Sequence, residues 1–155
     1  MLSFKQHLTE RLWVHRIIQK RRQCTATAAK MILDYHNIPS DSAKEIHSQT
    51  GPENKGRSHK VIANFINSHY NAAATVKKGS IDMLRDSVKK NGPVVASVKR
   101  KADGGRHALV VLKVTKKHLH VVDPTEGFRG RFTDRNKIPI EDYNGSHMII
   151  RPYTG

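Results

Sequence analysis

The stretch Cys24-Thr-Ala-Thr-Ala-Ala-Lys-Met-Ile-Leu-Asp-Tyr35 sets the architecture of the first half of the chain. Across 23–36, apolar residues fall at Ala28, Met31, Ile32 and Tyr35, the spacing of one helical face, and Asn37-Ile-Pro39 ends the element. Ser42-Ala-Lys-Glu45 reads as the capping box of a short second helix that stops before Gly51. A third helix is predicted over 58–69 with Val61, Ile62, Phe65 and Ile66 inward. A fourth runs from Ser80 to Asn91-Gly92 with Ile81, Leu84 and Val88 inward. Strand patterns come afterwards, at about 93–100, 106–115, 118–123 and 147–152. Helices first and strands second imply an α+β fold, with N-terminal helices packed on a mostly antiparallel sheet.

A length of 155 residues with 37% hydrophobic content and nine aromatics fits one compact domain over 1–155. No stretch approaches the ~20 apolar residues that cross a bilayer. The first ten residues, Met1-Leu-Ser-Phe-Lys-Gln-His-Leu-Thr-Glu10, lack the uninterrupted apolar core of a secretory signal. The expected location is the cytoplasm, or outside the cell by delivery as an effector without a cleavable signal peptide. A single cysteine, Cys24, excludes an internal disulfide framework.

That cysteine stands where the first helix begins, after Lys20-Arg21-Arg22-Gln23. The positive end of a helix dipole, free N–H groups in the first turn and neighbouring cations all stabilise a thiolate. Downstream, His107 opens an apolar strand in Gly105-Arg-His107-Ala-Leu-Val-Val-Leu, and Asp123 closes the next in Leu119-His-Val-Val-Asp123-Pro. Adjacent strands can bring those two side chains to one end of a sheet. Thiol, imidazole and carboxylate then have the logic of a nucleophile, its base and the group that orients the base.

In this ordered set the chain resembles the papain-like cysteine peptidases, most closely the C39-like branch. The likeness runs from about Val14 to about Gly127 and covers the Cys24-x-Ala-x-Ala helix, Gly92-Pro-Val, His107-Ala-Leu-Val-Val and Val121-Val-Asp-Pro. It implies a papain-like fold, with Cys24 as nucleophile, His107 as base, Asp123 as orienting residue and Gln19 as side-chain donor to the oxyanion. Gln19 lies five positions before Cys24 where the family usually has six, and Thr25 stands where glycine or tryptophan is common. A shorter loop could present Gln19, or Gln23 could replace it; the backbone N–H of Cys24 supplies a further donor. Gly51-Pro-Glu-Asn-Lys-Gly56-Arg-Ser58 is similar to a family element at the edge of the substrate cleft, and reads equally as a glycine turn capped by Ser58.

The resemblance does not account for the charge. Twenty-eight basic residues against thirteen acidic ones leave +15. Arg21 and Arg22 precede Cys24, and Lys101 and Arg106 frame the loop before His107, so these four are candidate substrate-binding residues. The principal expectation is a thiol hydrolase that acts on an amide of a protein or peptide, by peptide cleavage or glutamine deamidation, in the manner of a bacterial toxin or effector domain. The alternative is a basic nuclease or binding module whose partner is a nucleic acid such as tRNA, with His107 as base on a 2′-OH and Cys24 as an acid. An acidic inhibitor protein is a further partner that such a surface would attract. Neither a cofactor nor a metal is expected, because no histidine or cysteine pair has metal-ligand spacing beside a carboxylate.

Overall fold

Helix α1, Cys24–Tyr35, is buried nearly all round, with Ala26, Ala28, Ala29, Met31, Ile32 and Leu33 fully covered. Such a helix belongs inside a fold rather than on its surface. Its alanines let the backbone lie close to the strand beneath, while Met31, Ile32 and Leu33 each contribute about 1.5–3 kcal/mol of apolar burial. The computed structural model describes Val14, Ile17 and residues 22–99, 105–124 and 136–154.

Two short helices follow. In α2, Ala43–Thr50, the Glu45 N–H donates to Ser42 Oγ at 3.2 Å. The Ser42 hydroxyl in turn donates to Glu45 Oε1 at 3.1 Å, so the box closes through side chains rather than through the cap's own N–H. Helix α3, His59–His69, starts with Ser58 Oγ accepting from the Val61 N–H. Its buried face is Ile62, Ala63, Phe65 and Ile66; Val61, predicted inward, is 40% exposed because it lies on the margin of that stripe. Helix α4, Ile81–Asn91, buries Leu84 and Val88 and ends at Gly92, whose φ of 79° suits only a residue without Cβ.

The strands are β1 Ala72–Lys78, β2 Val94–Lys99, β3 Arg106–Val114, β4 His118–Val122, β5 Asn136–Pro139 and β6 Tyr143–Pro152. They form one six-stranded antiparallel sheet in the order β1-β6-β2-β3-β4-β5. Strands β1 and β5 were not predicted. Ala72-Ala-Ala-Thr-Val-Lys-Lys78 is poor in the residues that favour strands. It is held instead by seven register pairs with β6 and by Asn67, which bonds both the N–H and the C=O of Ala74.

Val95, Val110, Val122, Met148 and Ile150 line one face of the sheet under α1 and α3, and α2 packs on those two helices. Val94, Ala96, Val98, Leu109, Val111 and Ile149 line the other and pack with Leu84 and Val88 of α4. Because β3 and β4 are antiparallel, the start of β3 and the end of β4 share one edge, and the N-terminus of α1 comes to that edge.

Candidate active site

Helix α1 starts without a side-chain cap, and its first backbone bond runs from the Thr27 N–H to the Gln23 carbonyl at 2.8 Å. The N–H groups of the first turn therefore have no acceptor within the helix and face outward at its positive end. Arg22 enters this turn with φ of 63°, a left-handed backbone that costs a residue with Cβ about 1–2 kcal/mol.

His107 Nε2–H donates to Asp123 Oδ1 at 2.7 Å, with both side chains buried. That bond fixes the ring and leaves Nδ1 as the nitrogen for the thiol, with which His107 is also hydrogen-bonded. Burial alone would push the Cys24 thiol up. The bond with His107, the Ala108 backbone N–H and the nearby imidazolium charge outweigh it, so the thiol sits below its ordinary value. Burial alone would push His107 down, but Asp123 and Cys24 raise it to about 9. Both shifts run in the direction that favours an imidazolium beside a thiolate over the neutral pair.

A cleft of about 470 Å³ opens over Cys24 and His107. It is lined further by residues 56–60 and by Val76, Lys78, Ser97, Arg106, Ala108 and Ser146. The loop 51–58 thus does border the cleft, and Thr25 fastens it there by donating from Oγ1 to the Arg57 carbonyl at 2.9 Å. A glycine at position 25 could not make that bond.

Of the residues singled out in the sequence, Cys24, His107 and Asp123 are brought together and Arg106 lines the cleft. Arg22 is exposed outside it. Gln23 is turned away from the cleft: it is buried against a separate cavity shared with Lys44, His47, Ser48, Gly51 and Glu53. It is therefore not placed to stand in for Gln19. Gln19, Arg21 and Lys101 lie outside the described residues.

Sequence reasoning did not single out a second histidine group behind the cleft. His147 is fully buried, with Nδ1 against the Tyr143 hydroxyl and Nε2 against Ser87 Oγ, both at 2.8 Å. His59, in the cleft wall, has Nδ1 3.2 Å from Ser146 Oγ. Only the alternation of β6, which turns residue 147 inward, could have signalled it.

The fold and the chemistry of this edge define a class, the papain-like proteins that present a cysteine at a helix N-terminus to a sheet-borne histidine. The model of the Peptidase_C39 like family matches residues 6–149, and the chain belongs to that family of cysteine peptidases. The peptidase domain of Streptococcus ComA, a bifunctional ABC transporter involved in quorum sensing, is similar with a TM-score of 0.72 at 14% identity, over 90% of this chain and 99% of that one. A C39-like peptidase from Bacillus anthracis gives 0.68 at 16% identity, over 92% and 97%. A double-glycine-motif protease from an AMS/PCAT transporter, in complex with a leader peptide, gives 0.65 at 18%, over 91% and 93%. At these identities the likeness is one of fold. No curated protein matches the sequence.

Proposed function

We propose that this chain hydrolyses peptide bonds with Cys24 as nucleophile, His107 as general base and acid, and Asp123 as the group that orients the ring. The carrying observation is the continuous chain of contacts from the Cys24 thiol through His107 to Asp123 Oδ1 at 2.7 Å, opening onto a cleft. The Cys24 sulfur attacks the scissile carbonyl carbon and the carbonyl oxygen becomes an oxyanion. The Cys24 N–H at the head of α1 and the Gln19 side chain donate to that oxygen. His107⁺ gives its proton to the amine as the C–N bond breaks, leaving a thioester. Water, deprotonated by His107, then attacks the thioester, releasing the acid and restoring the thiolate–imidazolium pair.

The cleft volume falls in the ~300–1,000 Å³ range of small binding sites, so it holds a short segment of substrate at a time. The leader peptide bound by the AMS/PCAT protease supports a peptide as that segment. Glutamine deamidation uses the same thioester and differs only in expelling ammonia. The test is reaction of the native chain and of Cys24→Ala with a pool of peptides, read by mass. Paired fragments that vanish with Cys24→Ala are the expected result. Intact peptides that have exchanged an amide for an acid would make the protein a deamidase, and products that survive Cys24→Ala would overturn the nucleophile.

A further inference from the structure

The described walls of the cleft carry Arg57, Lys60, Lys78 and Arg106 and no carboxylate. The four cations come from separate places: the loop before α3, the first turn of α3, the end of β1 and the start of β3. Arg57 is pinned, with Nε donating to Thr50 Oγ1 at 2.8 Å and Nη2 to the His47 carbonyl at 2.6 Å. With the Lys55 and Gly56 carbonyls, its four acceptors are all neutral, so no carboxylate among the described residues compensates its charge. Lys60, Lys78 and Arg106 are exposed, and none is in an ion pair among the described residues. Asp34, Asp82 and Asp86 pair within their own helices, and Asp123 faces His107. Cations converging on one concave surface without counter-charge focus a positive potential there.

We infer that this cleft selects substrate segments bearing acidic side chains near the bond to be cut, with Arg106 and Lys78 reading them. The inference rests on the peptidase reading above. Lys78 and Arg106 stand three strand steps apart in the order β1-β6-β2-β3, about 14 Å at the usual strand spacing. An extended peptide covers that distance in about four residues. Arg106, next to His107, faces a carboxylate beside the scissile bond, and Lys78 faces one about four residues away. The described lining contains no Phe, Tyr or Trp on which a base could stack, so the cations favour a peptide carboxylate over a nucleic acid.

The test is protection of Cys24 from iodoacetamide, a neutral reagent, followed by intact mass at low salt. The competitors are octaglutamate, octalysine, a neutral glycine-serine octapeptide and a uridylate octamer. Octaglutamate is expected to slow alkylation most, and the effect should shrink as salt rises. Lys78→Glu and Arg106→Gln should each weaken octaglutamate protection by about twofold to fivefold. Lys89→Glu, the same charge reversal placed on exposed α4, should leave it unchanged. Octaglutamate protecting no better than the neutral peptide would overturn the inference, as would equal protection by the uridylate octamer or an unaltered response in Lys78→Glu. Failure of the peptidase reading is separate: Cys24 without competitor would then react no faster than a free thiol.

Discussion

His107 and His147 sit on the two strands that flank β2, opposite Val98 and Ala96 respectively, and burial disfavours charge on both. They are nevertheless driven in opposite directions. His107 meets a carboxylate and a thiol, and its pKa rises to about 9. His147 meets two hydroxyls with Lys77 nearby, and burial and that charge lower it to about 4. At neutral pH one ring is a held proton and the other a neutral strut. Burial sets the default for a histidine, and an anionic neighbour is what turns it into an acid.

The largest expected effect tests that division directly. Cys24→Ala should abolish hydrolysis, and His107→Ala should lower kcat/KM by about 10²–10⁴, the usual worth of a positioned acid–base group. His147→Asn should lower thermal stability while folded protein keeps its rate of Cys24 alkylation. Equal losses of alkylation rate in His107→Ala and His147→Asn would break the comparison.

The next effect is in the pH profile. Leaving-group protonation needs His107⁺, so kcat/KM should fall on the alkaline side with a midpoint near 9, and the acid limb should lie below the ordinary thiol value. Asp123→Asn removes the main group that raises His107, and the alkaline midpoint should move down toward the ordinary ~6.5. A midpoint that stays near 9 in Asp123→Asn would show that Cys24 alone holds the proton.

The candidate triad was legible in the sequence because each member sits at an element boundary, where residue type and position coincide: Cys24 at a helix start, His107 near a strand start, Asp123 just past a strand end. The second histidine group was not, since Tyr143, Ser146 and His147 share β6 but their partners Ser87 and His59 lie sixty or more residues earlier and meet them only through tertiary packing. Strand β1 escaped for a related reason. Its alanines and lysines carry little strand preference, and its register depends on β6, more than sixty residues later. Val61 failed differently: apolar character shows what a side chain can do, but the helix phase decides where it points.

The same contrast predicts opposite pH dependences of stability. His107, with its folded pKa raised, contributes stability fully below about 6.5 that is lost as pH rises through about 9. His59 and His147, both lowered to about 4, contribute stability present above about 6.5 that is lost as pH falls toward 4. Unfolding free energies from urea titrations should therefore be greater at pH 7 than at pH 4.5 by about 4 kcal/mol, because the two lowered histidines outweigh the one raised, and the difference should shrink in His147→Asn. A wild-type midpoint unchanged between those pH values would mean that the buried network admits protons without cost.

The smallest effect separates the two histidines most finely. Tyr143 is pushed up to about 12 by burial, so it keeps its proton and can donate to His147 Nδ1 while Nε2–H donates to Ser87. Tyr143→Phe removes one of those two bonds and should cost about 1 kcal/mol in a urea titration, with no shift in the alkaline midpoint of kcat/KM. His107 has its own partners in Asp123 and Cys24, and no contact in the Tyr143–His147–Ser87 group supplies its proton. A shift of the midpoint in Tyr143→Phe would show that β2 transmits changes from one ring to the other. The two histidines would then act as one titrating unit rather than as neighbours with independent chemistry.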